Sequence, residues 1–124
     1  MQPLRPDHFT ILSTDLDATR DFYAEVLDLT PGPRPALSMD GLWLYAGENP
    51  ILHVIRVDQL PDERGGVLDH MAFRADSVEP FIARLDAQAI PHRLIRTPEP
   101  WQQWQLFFHG PSGEKIEIDA TIAD

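Results

Sequence analysis

The chain has 124 residues, enough for one domain with a sizeable core, and its apolar (43%) and charged (24%) contents are ordinary for a globular protein. Its formal net charge of -10 argues against binding to nucleic acid or anionic membranes, which requires a basic surface. Because the chain has no cysteine, disulfides, thiolate metal sites and cysteine nucleophiles are excluded. Any metal must therefore be held by nitrogen and oxygen.

The composition leaves small molecules as the expected partners, with neither nucleic acid nor membrane among them. The first six residues lack the apolar stretch of a signal peptide, and no segment is apolar over the length needed to cross a bilayer. We therefore expect a cytoplasmic protein.

The first half of the chain begins with a short β-type run from His8 to Leu12, followed at residues 13–15 by side-chain oxygens suited to capping a helix. Prolines at 31, 33 and 35 end that helix and favour extended or irregular structure. Two strand-like runs follow at residues 42–45 and 51–55, joined by turn-forming residues. Apolar residues recur at helical spacing up to Asp28, namely Leu16, Phe22, Tyr23, Val26 and Leu27.

The second half repeats this order. His70 opens a strand, Asp76 and Ser77 can cap a helix, and strand candidates follow at 92–95, 103–109 and 115–119. The helix has an apolar face made of Val78, Phe81, Ile82 and Leu85. The sequence predicts an α+β fold, with two βαβββ modules that form curved mixed sheets around a concave site. The predicted bounds are a single domain over 1–124, a first module at 7–57, a connector at 58–68 and a second module at 69–120.

Four potential metal ligands occupy matching places in the two halves. An Asp-His pair opens each half, at Asp7-His8 and Asp69-His70, and each half ends in a strand that carries a further candidate, His53 or Glu117. Strand alternation places these four side chains on the concave face, with the small residues Thr10 and Ala72 beside the histidines. Three imidazoles and a carboxylate suit a divalent transition metal, which would also compensate a buried glutamate.

Several longer motifs resemble the vicinal oxygen chelate superfamily, which includes glyoxalase I, extradiol dioxygenases, fosfomycin-resistance proteins and bleomycin-binding proteins. The resemblance covers nearly the whole chain, with Gly110 standing where the family usually has an acidic residue. The motifs are Asp7-His8-Phe9-Thr10, Asp21-Phe22-Tyr23, Val26-Leu27-Asp28-Leu29, Leu68-Asp69-His70-Met71-Ala72-Phe73, and Phe107-Phe108-His109-Gly110-Pro111-Ser112-Gly113 leading into Ile116-Glu117-Ile118.

The resemblance implies metal ligation by His8, His70 and Glu117. In glyoxalase-like members the position of His53 is a fourth ligand that shuttles a proton, whereas in extradiol dioxygenases it is a histidine beside the metal that acts as acid and base. The order His, His, His, Glu is similar to the dioxygenase pattern, although Phe107 stands where those enzymes generally carry a tyrosine. Three protein ligands leave room on an octahedral ion for a chelating diol and dioxygen.

We therefore expect a metal-dependent enzyme for a small oxygen-rich substrate, with catechol dioxygenase-like chemistry favoured and a glyoxalase-like lyase or isomerase as the alternative. The resemblance also implies a homodimer and one divalent ion per site, with Fe2+ or Mn2+ favoured and Zn2+ or Ni2+ as alternatives. A metal-independent drug-binding protein of the bleomycin-resistance kind and a fosfomycin-type thiol transferase stay open as further classes. Candidate substrate-binding residues are Thr10, Arg74, Trp104 and Phe107, and His92 and His109 are expected at the surface or at a pocket edge.

Overall fold

The computed structural model describes residues 2–122, and the chain divides into two compact units between Leu60 and Pro61. Each unit contains one helix and a four-stranded mixed sheet in the order βαβββ. The prediction of an α+β fold made of two βαβββ modules is therefore confirmed. No helix within the described residues is long and apolar enough to span a membrane.

The first module forms a sheet with the strand order β1-β4-β3-β2, in which β1 and β4 are parallel and the other neighbours are antiparallel. The short strand β2 lies in the proline-containing segment that was expected to be extended or irregular. Pro31 has no backbone N–H, and it is tolerated because β2 is at the edge of the sheet. The elements are β1 (Phe9–Ser13), α1 (Leu16–Leu27), β2 (Thr30–Gly32), β3 (Gly41–Ala46) and β4 (Asn49–Arg56).

Helix α1 begins and ends where its sequence predicts. The side chain of Asp15 accepts a hydrogen bond from the Ala18 N–H (3.0 Å), and Asp28 ends the helix in the left-handed conformation (φ 57°). The helix packs against β2 and β3 and buries Tyr23 and Val26 completely. This packing covers one face of the first sheet with apolar side chains.

The second module repeats the topology with the strand order β5-β8-β7-β6, where β5 and β8 are parallel. Its helix starts later than the capping residues Asp76 and Ser77 suggest. Ser77 Oγ accepts a hydrogen bond from the Glu79 N–H (3.3 Å), but Val78, which has no capping oxygen, occupies the cap position. The elements are β5 (Met71–Arg74), α2 (Glu79–Ala87), β6 (Arg93–Arg96), β7 (Gln103–His109) and β8 (Lys115–Thr121).

Strand alternation gives each sheet an apolar face and an opposite face that carries the candidate metal ligands. In β4, Leu52 and Val54 are buried while His53 between them points to the other side. In β8, Ile116 and Ile118 are buried on one side and Glu117 lies on the other. The candidate ligands of each module thus lie on the face opposite the apolar core.

Candidate metal centre

The two Asp-His pairs have the same geometry. The Nδ1 atom of His8 lies 2.7 Å from Asp7 Oδ2, and the Nδ1 atom of His70 lies 2.7 Å from Asp69 Oδ2. These hydrogen bonds lower the pKa of both aspartates, which keeps the carboxylates ionised. A carboxylate on Nδ1 orients the imidazole and leaves Nε2 as the atom that faces a metal, as is common for metal-bound histidines.

In the first module His53 is held between two other rings. Its ring stacks on His8 with 3.7 Å between centroids and an interplanar angle of 14°, and on Trp43 with 3.9 Å and 9°. The sheet register produces this arrangement because His53 is paired with Trp43 on one side and with Thr10 on the other. The stack fixes the ring plane of His53 and leaves only its nitrogen atoms for chemistry.

The hydrogen bonds of His53 determine which nitrogen is available. The backbone of Pro50 bonds to the ring, and because proline has no N–H, its carbonyl must accept from a ring N–H. The Nε2 atom is buried and has no hydrogen-bond partner within the described residues, so the donor is Nδ1. Burial, together with the nearby His8, lowers the pKa of His53 and favours the neutral ring. Neutral His53 therefore presents a free lone pair at Nε2.

The stack also limits how His8 and His53 can share a metal ion. The lone pair of an imidazole nitrogen lies in its ring plane, so a bound ion lies close to that plane. Two rings at 14° with centroids 3.7 Å apart have planes that do not meet within bonding distance. As stacked, only one of the two rings can bind a given ion. Of the two, His8 has the position in its module that His70 has in the second module, and it is therefore the candidate ligand of this pair.

In the second module the candidate ligands touch each other directly. The Nε2 atom of His70 lies 2.9 Å from Glu117 Oε1, and the Glu117 side chain is only 6% exposed. Gln105 Nε2 donates to the other carboxylate oxygen of Glu117 (3.3 Å). Glu117 is paired in register with Ala72 and Phe107, so a small side chain and an aromatic ring flank it.

These donor atoms fit a divalent metal ion. Adjacent ligands on an octahedral ion with bonds of about 2.1 Å are about 3.0 Å apart, which is close to the separation of His70 Nε2 and Glu117 Oε1. The buried Nε2 of His53, which has no hydrogen-bond partner among residues 2–122, needs a polar partner of its own. Between Gln2 and Ile122, no three His, Asp or Glu side chains form a metal-binding group, and the candidates instead meet as the pairs described above.

Asp119 was not predicted from the sequence as a residue of the site. It follows Glu117 by two positions and lies on the same face of β8. Burial and a hydrogen bond to the Glu117 carboxylate raise the pKa of Asp119 to about 7. Its Oδ1 atom is buried with no hydrogen-bond partner among residues 2–122. The alternation of Ile116-Glu117-Ile118-Asp119 is the signal that could have identified it, since it places both carboxyl groups on one side.

Because the pKa of Asp119 is raised, the stability of the wild type is expected to depend on pH in a way that the stability of Asp119→Asn does not. The folded protein holds this proton more firmly than the unfolded chain does, so stability is lost as pH rises from 3.8 towards about 7. Asp119→Asn cannot ionise and escapes this loss. In metal-free protein, we expect the melting temperature of Asp119→Asn relative to wild type to increase between pH 4 and pH 8, measured by circular dichroism. If the difference in melting temperature between Asp119→Asn and wild type stays constant or shrinks as pH rises, the pKa of Asp119 is not raised in the folded protein.

The four residues expected to bind substrate fall in different places. Thr10 is exposed next to His53 in the register, and Phe107 packs its ring edge-on against His70 (5.9 Å between centroids). Arg74 Nη1 donates to Gln103 Oε1 (2.9 Å) on the face that carries Glu117. Trp104 instead lies on the opposite face of β7 from Phe107, because the two are three residues apart, and so it faces away from Glu117.

Comparison with known proteins identifies the family. The chain matches the Glyoxalase/Bleomycin resistance protein/Dioxygenase superfamily over residues 5–118. This match spans most of the chain, and the protein therefore belongs to that superfamily, as the sequence motifs predict.

Individual relatives agree with this assignment. The chain is 29% identical over 119 residues to the protein named Glyoxylase I 4 of Arabidopsis thaliana, covering 90% of this chain and 68% of that protein. A glyoxylase/bleomycin resistance protein/dioxygenase domain from Frankia sp. EAN1pec has a TM-score of 0.78 at 17% identity, with 98% of both chains covered. Lactoylglutathione lyase from Agrobacterium tumefaciens has a TM-score of 0.70 at 23% identity, covering 96% of this chain and 95% of that one. At these identities the two structures establish the fold alone.

Proposed function

We propose that this protein is a divalent-metal-dependent enzyme that acts on a small substrate with adjacent oxygen atoms, and that its chemistry is dioxygenase-like. His8, His70 and Glu117 are the proposed metal ligands, contributed by the two modules of one chain or by two chains of a dimer. His53 is the proposed acid and base. The observation that carries this proposal is the stacking of His53 between His8 and Trp43, with its Nε2 buried and without a hydrogen-bond partner among residues 2–122. Burial and the nearby His8 lower the pKa of His53 and favour the neutral ring.

The bound metal would supply Lewis acidity towards the paired oxygens of the substrate. His53 would take a proton from a substrate hydroxyl at Nε2, since the carbonyl of Pro50 holds the other nitrogen as a donor. The Trp43 and His8 rings on either side keep the imidazole from turning away. Gln105 and the Asp69 carboxylate would hold Glu117 and His70 in place by the hydrogen bonds already described.

The second candidate is a glyoxalase-like lyase or isomerase, in which the position of His53 binds the metal as a fourth ligand. Similarity to the Arabidopsis protein named Glyoxylase I 4 supports it. In this case the stack of His8 and His53 would have to open, because both rings cannot reach one ion as they lie. The stacked arrangement therefore favours the first candidate.

Metal removal tests both candidates. We expect no turnover in chelator-treated protein and recovery when Fe2+ or Mn2+ is added back, with Zn2+ and Ni2+ tested alongside. Oxygen consumption with a panel of catechols would support the dioxygenase-like reaction, whereas oxygen-independent isomerisation of the hemithioacetals of 2-oxoaldehydes would support the second. Equal turnover with and without metal, on any of these substrates, would contradict metal dependence.

A further inference from the structure

The second module contains a cavity of about 400 Å³ on the sheet face that carries Glu117. This volume is within the range of small-molecule pockets, which is roughly 300–1,000 Å³. Phe107 and Ile95 provide apolar surface at its wall, and strand register places Arg93 directly opposite Phe107. His109 on β7 and Lys115 on β8 also line the cavity, and they lie directly opposite each other in the sheet.

The polar groups of the cavity are all cations or histidines. The cavity is lined by Arg93, Lys115, His92 and His109, and no aspartate or glutamate of residues 2–122 lines it. This composition is unusual in a chain with 20 acidic and 10 basic residues, and Lys115 is the only lysine in the sequence. Arg93 and His109 form no side-chain hydrogen bond or ion pair within residues 2–122, so the charge of the Arg93 guanidinium is not neutralised by a carboxylate of these residues.

The cavity adjoins the proposed metal ligands of the same module. The ring of Phe107 lines the cavity and also contacts His70, and it is paired with Glu117 in the sheet. Lys115 Nζ lies 3.5 Å from the Asp69 carboxylate that orients His70, and 5.1 Å from the centre of the Phe107 ring. A ligand with one end in the cavity would therefore extend over Phe107 towards His70 and Glu117.

We propose that this cavity binds the oxyanion of an organic acid, a carboxylate or a phosphate attached to an apolar or aromatic body. Arg93 would bind two anion oxygens with its planar guanidinium, Lys115 would add a second charge, and Phe107 and Ile95 would contact the body. The binding site is inferred from the cavity itself. That its occupant is the substrate rests on the proposed function and predicts an anionic substrate with paired oxygens.

Chemical labelling gives a direct test, because an amine-reactive reagent can modify only Lys115 and the chain N-terminus. The probes are 3-phenylpropionate, phenyl phosphate and the neutral 3-phenylpropanamide. We expect either or both anions to slow Lys115 labelling in wild-type protein, while the amide has no effect and the N-terminus is unaffected. Mass spectrometry of the peptides measures both positions. Equal protection by the amide, or protection by neither anion, would overturn the proposal.

Titration calorimetry of the same probes isolates the role of Arg93. Arg93→Gln is expected to weaken anion binding about 10-fold, as removal of a charged hydrogen-bond donor does. Arg96→Gln is the matched control, because Arg96 is an exposed arginine on the same strand, lies on its opposite face and does not line the cavity. Equal affinity in both variants would contradict the proposal.

The titrations are made in chelator and repeated with metal added, so that the two proposals can fail separately. Anion binding in chelator that depends on Arg93 supports the cavity site even if no metal binds. Metal binding without any saturable anion binding overturns the cavity site and leaves the metal proposal intact. Thermal melting of each variant verifies that it is folded.

Discussion

Replacing Glu117 by glutamine is expected to lower metal affinity by more than about 100-fold, beyond the effect typical of residues that only support a ligand. Glutamine has nearly the same shape and can keep contact with Gln105, but it provides no negative charge for the ion. The fold should survive, because the substitution removes a buried charge next to Asp119. Titration of metal-free protein with Mn2+ or Zn2+, monitored by calorimetry, measures the loss.

The matched control for this experiment is Glu63→Gln, which makes the same chemical change at an exposed position in the connector. Its metal affinity should equal that of wild type. If Glu117→Gln binds metal as tightly as this control while both melt at a similar temperature, Glu117 is not a ligand.

Substitutions of the two stacked histidines, His8 and His53, are expected to affect metal binding and turnover differently. His53→Gln is expected to retain the metal and to lose turnover by about 10²–10⁴-fold, the usual contribution of a general acid or base. His8→Gln is expected to lose the metal itself. The physical reason is that the two rings, with an interplanar angle of 14°, cannot both direct a lone pair to one ion. Metal analysis and steady-state kinetics on the two variants measure the two effects.

Each variant serves as the control for the other, since both remove an imidazole from the same stack. Loss of metal in both variants would favour the four-ligand, glyoxalase-like site. Full turnover in His53→Gln would show that His53 is not the acid or base of the reaction.

Much of the fold could be predicted from local pattern. The capping oxygen of Asp15 and the apolar repeat after it define helix α1, and the alternation around His53 and Glu117 predicts which face each occupies. Strand β2 was harder to predict, because a three-residue edge strand that contains proline has little local signal. Val78 took the cap position of α2 without a capping oxygen, which no propensity rule favours.

The details of the site depend on contacts between strands, which the local sequence pattern does not predict. Trp43 meets His53 only because β3 and β4 adopt a register set by a tight turn at Gly47 and an irregularity between Leu44 and Ala46. The cavity beside Phe107 likewise depends on which residues of β6 and β7 are paired. His92 and His109, expected at the surface or at a pocket edge, both line that cavity. The types of candidate ligand could therefore be predicted from the sequence, whereas the residues that surround them depend on strand register.

Whether this protein holds a metal ion is measured by its metal content after anaerobic purification, determined by mass spectrometry as metal per chain. We expect a near-stoichiometric divalent metal in wild type and in His53→Ala, and its loss in Glu117→Ala. Absence of metal from the wild type, even after reconstitution with Fe2+, Mn2+, Zn2+ or Ni2+, would contradict a metal-dependent enzyme and favour a metal-independent binding protein.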